Sequence, residues 1–229
     1  MTVVLTIQKY KKRYIFFALL SMALFRLPLF FNKKISFYKL MGSGKNGSFD
    51  KNPDWQQWVI LTAFKNDIQP ENFDEKNLTC QLYGSFINKW FKLFCIQTTN
   101  IFLTPLEGHG KWDGKVPFEY KEKNYLHEGK IAVLTRATIN LFKLKVFWSN
   151  VSSVAGKILQ AEGLIQSIGI GEVPFIKQAT FSIWENKELM KQFAYTMKEH
   201  TNVIIKTRKE NWYKEEMFVR FALIKTIEL

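Results

Sequence analysis

The sequence predicts an α+β fold in which tandem ferredoxin-like repeats form an antiparallel, barrel-like core with surrounding helices, and three observations lead there. Stretches rich in β-branched and aromatic residues alternate with stretches of helical period. The two halves of the 229-residue chain echo one another. Between them, residues 105–129 collect Pro105, Gly108, Gly110, Gly114, Pro117 and Gly129 among many charges, the punctuation of a connecting loop.

The first expected element is a strand over 1–8, rich in Thr, Val and Ile, followed by a helix over 10–30 that carries the apolar run Ile15 to Phe25. A strand over 56–64 comes next, then a helix within 70–90 leading into a strand over 92–104. Beyond the loop lie a strand over 130–140, a helix over 141–158, strands over 164–170 and 176–184, helices within 186–210 and a last strand over 215–226. Phe37-Tyr-Lys-Leu-Met-Gly-Ser-Gly44 stands before Trp58-Val-Ile-Leu-Thr-Ala-Phe64 much as Leu164-Ile-Gln-Ser-Ile-Gly-Ile-Gly171 stands before Thr180-Phe-Ser-Ile-Trp184. Each half therefore fits one β-α-β-β-α-β unit. The expected organisation is a first half over 1–104, a linker over 105–129 and a second half over 130–229.

Composition bounds the function. A 27.0 kDa chain with 47% hydrophobic residues and a mean hydropathy of −0.14 is globular, which excludes low-complexity disorder. Its 21 Phe, 8 Tyr and 7 Trp exceed what a core needs and point to a large apolar ligand. Two cysteines, Cys80 and Cys95, make neither a disulfide scaffold nor a paired-cysteine zinc site, so a reducing cytoplasm is expected. The net charge is +13, and residues 1–49 hold Lys9, Lys11, Lys12, Arg13, Arg26, Lys33, Lys34, Lys39 and Lys45 with no acid at all. Such a field draws in anionic partners. No RNA- or DNA-binding motif accompanies it, so the expected partner is an anionic membrane surface and not nucleic acid.

Lys9 to Arg13 followed by Ile15 to Phe25 imitates a signal peptide, but Arg26 and Pro28 interrupt the apolar run and no clear cleavage site follows. The first reading is a buried helix packed on a sheet, and the second a helix in contact with a membrane. The segment is expected to bind anionic bilayers electrostatically while staying outside the hydrocarbon, which places the protein in the cytoplasm, peripheral to the membrane.

Gly42-Ser-Gly44 and Gly169-Ile-Gly171 do not continue as a dinucleotide fingerprint, and no Walker loop, H-E-x-x-H or G-x-S-x-G pattern is present. Of three histidines, His109 and His127 fall in the polar linker. His200 precedes Val203, Ile204 and Ile205, the apolar face of an expected helix. An inward imidazole there can ligate a metal or haem iron, although from the residues alone a lone hydrogen-bonded core histidine is the favoured reading. Cys95 and Cys80 rank below it as thiolate ligands, because a small buried hydrophobe is the commoner fate of a free cysteine.

Five blocks then carry a resemblance: Phe37 to Gly44, Ala132-Val-Leu-Thr-Arg-Ala-Thr138, Gly169-Ile-Gly-Glu-Val-Pro174, Gln178-Ala-Thr-Phe-Ser-Ile-Trp184, and Arg208-Lys-Glu-Asn-Trp-Tyr-Lys-Glu-Glu-Met-Phe-Val-Arg-Phe221. In this order, over nearly the whole chain, they resemble the spheroidene monooxygenase family. The loop Gly110-Lys-Trp-Asp-Gly-Lys-Val-Pro-Phe118 also resembles the family's, whereas His109 is peculiar to this sequence. The resemblance implies a haem-dependent oxygenase that uses O2 to place a keto or hydroxyl group on an acyclic carotenoid, an apolar polyene, with electrons from an external reductase. It makes His200 the first candidate for the iron ligand, with Cys95, Cys80 and His109 behind it in that order. Arg136, Arg208 and Arg220 suit the anionic propionates of haem. Two alternatives stay open: a non-enzymatic carotenoid or lipid carrier, and a cofactor-free oxygenase using Glu172, Glu215 or Glu216 as acid–base groups.

Overall fold

A computed structural model describes residues 1–45, 52–120, 127–196, 207 and 210–229, without the side chains of 151–157 and 195–196. The described residues form eight strands and six α-helices. In chain order they are β1 (Thr2–Tyr10), α1 (Ile15–Leu24), α2 (Arg26–Phe31), β2 (Ile35–Gly44), β3 (Pro53–Phe64), α3 (Leu78–Tyr83), α4 (Ser85–Phe94) and β4 (Cys95–Gly110), then β5 (Ile131–Ile139), α5 (Leu144–Ile158), β6 (Leu164–Val173), β7 (Lys177–Trp184), α6 (Lys187–Thr196) and β8 (Tyr213–Glu228). The strands hydrogen-bond in the closed order β1-β3-β2-β6-β7-β5-β8-β4, which makes the expected barrel.

The chain forms two compact units, 1–42 with 54–104 and 224–229, and 43–53 with 105–223. In the first, β1 lies antiparallel between β3 and β4, with Leu5 opposite Leu61 and Ile101. In the second, β5 lies antiparallel between β7 and β8, with Leu134 opposite Phe181 and Val219. The strand orders β4-β1-β3-β2 and β8-β5-β7-β6 are therefore one pattern written twice. The duplication argued from the two sequence echoes is the architecture of the molecule.

The first unit buries Val4, Ile60, Phe64 and Phe102 of its sheet against Leu78, Leu82, Ile87 and Phe91 of α3 and α4. Beneath α3 runs a neutral polar network. The Thr6 hydroxyl lies 2.6 Å from the Tyr83 hydroxyl and donates to Asn100 Oδ1 at 2.9 Å, and Thr62 approaches the same phenol at 3.3 Å. These bonds answer the cost of burying hydroxyl groups. Burial pushes the Tyr83 phenol up to about 12.

Two expectations change. The single helix over 10–30 is two helices meeting at Phe25 and Arg26, and they are not buried as a whole. Ala18, Ser21, Phe25 and Leu29 form the buried stripe at helical spacing. On the other side Phe16 is 69% exposed, Leu27 64% and Phe30 71%, so the run of apolar residues feeds two opposite faces. The second change is at β4, which continues to Gly110 through residues expected to be loop. A side chain at Gly108 would meet the carbonyl oxygen of Phe218 at 2.6 Å, and one at Gly110, where φ is +88°, would collide with the carbonyl of Glu216. These glycines let β4 lie against the backbone of β8 and do not mark a turn.

Candidate functional site

Arg136 on β5 is only 1% exposed and gathers three carboxylates. It donates to Glu215 on β8 and, at 3.1 Å, to Asp113, while Glu172 on β6 lies 3.8 Å away. Lys177 adds a second cation, 2.7 Å from Asp113. Trp112 donates its indole N–H to Glu172 at 2.6 Å, and the guanidinium sits 5.5 Å from the Trp112 ring. Glu215 also accepts the backbone N–H groups of Asp113 at 2.8 Å and Gly114 at 2.7 Å. Partial burial opposes ionisation of Glu215, but those two N–H groups and Arg136 outweigh it and hold its carboxyl below the ordinary value. The cluster ties the turn at 112–115 to the sheet. Its arginine is already neutralised by the chain's own carboxylates.

A second group surrounds a cavity of about 380 Å3 lined by Glu107, Gly108, His109, Tyr120, Phe218 and Arg220. Strand alternation assembles it: Glu107 and His109 are two apart on β4, as Phe218 and Arg220 are on β8. Arg220 Nη1 pairs with Glu107, and the His109 ring stacks on Phe218 with centroids 5.6 Å apart. Arg220 Nε and the Tyr120 hydroxyl are buried with no partner among the described residues. The absence of a side chain at Gly108 leaves the space that the Tyr120 hydroxyl occupies. The lining is mixed, with the Glu107 carboxylate beside the arginine, imidazole and phenol.

The remaining candidates separate clearly. His200 and Arg208 lie outside the described residues. Arg220 and His109 come together at the cavity, whereas Arg136, Glu172 and Glu215 belong to the ion cluster. Glu216 is exposed, and its carbonyl accepts the N–H of Lys111. No group of three or more His, Cys, Asp and Glu among the described residues is placed to hold a metal ion. Three carboxylates face the Nη atoms of Arg136, while its Nε, like that of Arg220, has no hydrogen-bond partner among the described residues. Arg220 differs in lining the cavity and in pairing with one carboxylate, Glu107. Glu107 and Tyr120 were not singled out in the sequence, although the period-two spacing of Glu107 and His109 carried the signal.

Burial pushes the Cys95 thiol up to about 12, outweighing the Tyr10 hydroxyl and the Lys11 charge, so its thiolate is scarce at neutral pH. Native protein is expected to leave Cys95 unalkylated by iodoacetamide while the denatured chain reacts fully, read by mass spectrometry. Rapid native labelling at this position would restore it as a thiolate ligand.

The fold is shared across wide sequence distance. Aldoxime dehydratase, in a solved structure, superposes with a TM-score of 0.61 at 10% identity, over 99% of this chain and 83% of its own. Fold and cavity thus define a duplicated ferredoxin-like barrel protein with a polar cleft in its second unit. No protein-family model matches the chain. Three curated sequences do, among them spheroidene monooxygenase of Rhodobacter capsulatus, 33% identical over 207 residues, 90% of this chain and 83% of that one, and spheroidene monooxygenase of Cereibacter sphaeroides, 35% identical over 204 residues and 88% of this chain. The chain belongs to the spheroidene monooxygenase family. It spans 60% of the length of the Cereibacter sphaeroides protein.

Proposed function

We propose that this chain is a haem-dependent monooxygenase that inserts oxygen near the end of an acyclic carotenoid. The observation that carries the reading is the 33% identity over 207 residues, extending across most of both chains, to a protein named for that class of reaction. Haem, when bound, supplies the iron at which O2 is activated. In that reading His200 would hold the iron, and Arg220, steadied by Glu107, would face a propionate. The His109 and Tyr120 side chains donate hydrogen bonds to polar groups at the same cavity. A cavity of about 380 Å3 is at the small end for ligand sites, so it takes a polar head or one chain end and not a whole long polyene. Each insertion turns one C–H bond into C–OH and releases the other oxygen atom as water, with two electrons and two protons, and a keto group takes two insertions at one carbon followed by loss of water. A separate reductase supplies the electrons, and the site of action is the cytoplasmic side of a membrane where the pigment is dissolved.

The test is expression in a host that accumulates acyclic carotenoids, under isotopically heavy O2, with mass measurement of the pigments. The expected products are heavier by one labelled oxygen, or carry a labelled keto group. Pigment retained by the purified protein with no mass change would replace the oxygenase by a carrier. Turnover that survives complete removal of haem and iron would replace it by a cofactor-free enzyme.

A further inference from the structure

Along α1 and α2 the exposed residues Phe16, Leu19, Ala23, Leu27 and Phe30 recur at spacings of three and four, a continuous helical stripe facing away from the protein. Exposed basic residues frame it: Lys12 and Arg13 before, Arg26 within, Lys33 and Lys34 after. No acidic residue occurs from 1 to 49. We propose that this stripe docks the protein on an anionic lipid bilayer, lying in the interface with its Phe and Leu side chains at the headgroup–acyl boundary.

Two observations choose this occupant and this mode. Lys12–Phe31 is 20 residues long and apolar enough to cross a bilayer, yet only 22% of its most apolar window is buried in the protein. It is interrupted at Arg26 and held down by Ala18, Phe25 and Leu29, each no more than 1% exposed. Crossing would extract those three from the core, whereas lying flat uses only the side they leave free. A second copy of the chain is the wrong partner, because joining two such faces sets like charges against each other. Anionic lipid offers the opposite charge and an apolar layer at the depth of the stripe. Attraction by charge alone, as the sequence suggested, therefore becomes attraction by charge followed by insertion.

The test uses the full chain and vesicles, with no carotenoid, haem or reductase, so it stands or falls apart from the proposed activity. Wild-type protein is expected to sediment with phosphatidylcholine vesicles containing phosphatidylglycerol and not with phosphatidylcholine alone. Raising salt from about 0.1 to about 0.5 M should weaken binding several-fold without abolishing it. The triple variant Phe16→Ser, Leu27→Ser, Phe30→Ser should bind about tenfold or more weakly at either salt while keeping its circular-dichroism melt, since all three side chains are mostly exposed. A Phe30→Trp variant should gain fluorescence quenching by lipids brominated on the acyl chain, beyond that of wild type, which keeps the proposal testable if the triple variant misfolds. Equal binding to neutral lipid, an unchanged triple variant or no added quenching would overturn it. So would resistance of bound protein to alkaline carbonate, the mark of a spanning helix. Vesicle-free dimerisation that the triple variant abolishes, without lipid binding, would assign the stripe to a second copy.

Discussion

Arg136→Leu is expected to cost the fold about 2–4 kcal/mol, somewhat below the usual price of breaking a fully buried ion pair because the orphaned carboxylates reach water. The leucine is of tolerable size, but it takes away the guanidinium that joins Glu215, Asp113 and Glu172, while Lys177 stays beside Asp113. Glu215 is 24% exposed, Glu172 15% and Asp113 36%, so solvent screens part of the repulsion. Denaturant midpoints and the melting temperature measure the loss, at roughly 2–4 °C per kcal/mol for a chain of this size. A pH series sharpens the result. The folded-state value of Glu215 is depressed, so its contribution is fully present above the ordinary carboxylate range and is lost as the pH falls through the folded value. Wild type should therefore lose stability in acid more steeply than the variant, whose Glu215 has lost its cation. Equal melting temperatures at neutral pH would show that Arg136 contributes nothing net.

His200→Ala is expected to remove the Soret band of haem-reconstituted protein and all carotenoid turnover together, leaving the far-ultraviolet circular dichroism and thermal melt close to wild type. If the His200 imidazole holds the iron, alanine offers no replacement donor, so spectrum and turnover fail together and added imidazole should restore part of both. A histidine that merely packs would give the reverse, a modest stability loss with the spectrum kept. In that event the next variant is His109→Ala and not one at Cys95. The thiol is held protonated, whereas the His109 ring lines the cavity beside Arg220. Arg220→Leu is the companion variant in either case, expected to weaken haem retention while leaving the axial spectrum of whatever haem remains.

Local pattern revealed the strands at the centre of each repeat, because β1, β3, β5 and β7 are dense in β-branched and aromatic residues. The strand β2 showed only through its echo of β6, since Lys39 and the Gly-Ser-Gly end dilute its apolar content. The end of β4 was hidden for a definite reason: Gly108 and Gly110 carry the same letters whether they turn a chain or let it approach β8. The same ambiguity concealed the cavity, whose Glu107 and His109 are adjacent on a strand face only once that segment is known to be strand. Arg136 stood out within its block, but its partner Glu215 is 79 residues away and Asp113 is 23, and nothing local links them. The apolar run at 15–31 was visible at once. Which of its sides met the core was not, because both stripes are apolar and only packing against Tyr10, Trp90 and Phe94 tells them apart.

The two stripes of α1 and α2 share one backbone, and this makes surface attachment and folding reciprocal quantities. If a surface takes up the outer stripe only while Phe25 and Leu29 are seated, attachment raises the stability of the first unit by mass action. Linkage runs equally in the other direction. A substitution that loosens Phe25 from its place, touching no outer residue, must weaken attachment to the extent that it depopulates the seated helix pair. Molecules dispersed in water and molecules held at a surface would then be two populations of differing stability, and thermal challenge would remove the dispersed one first.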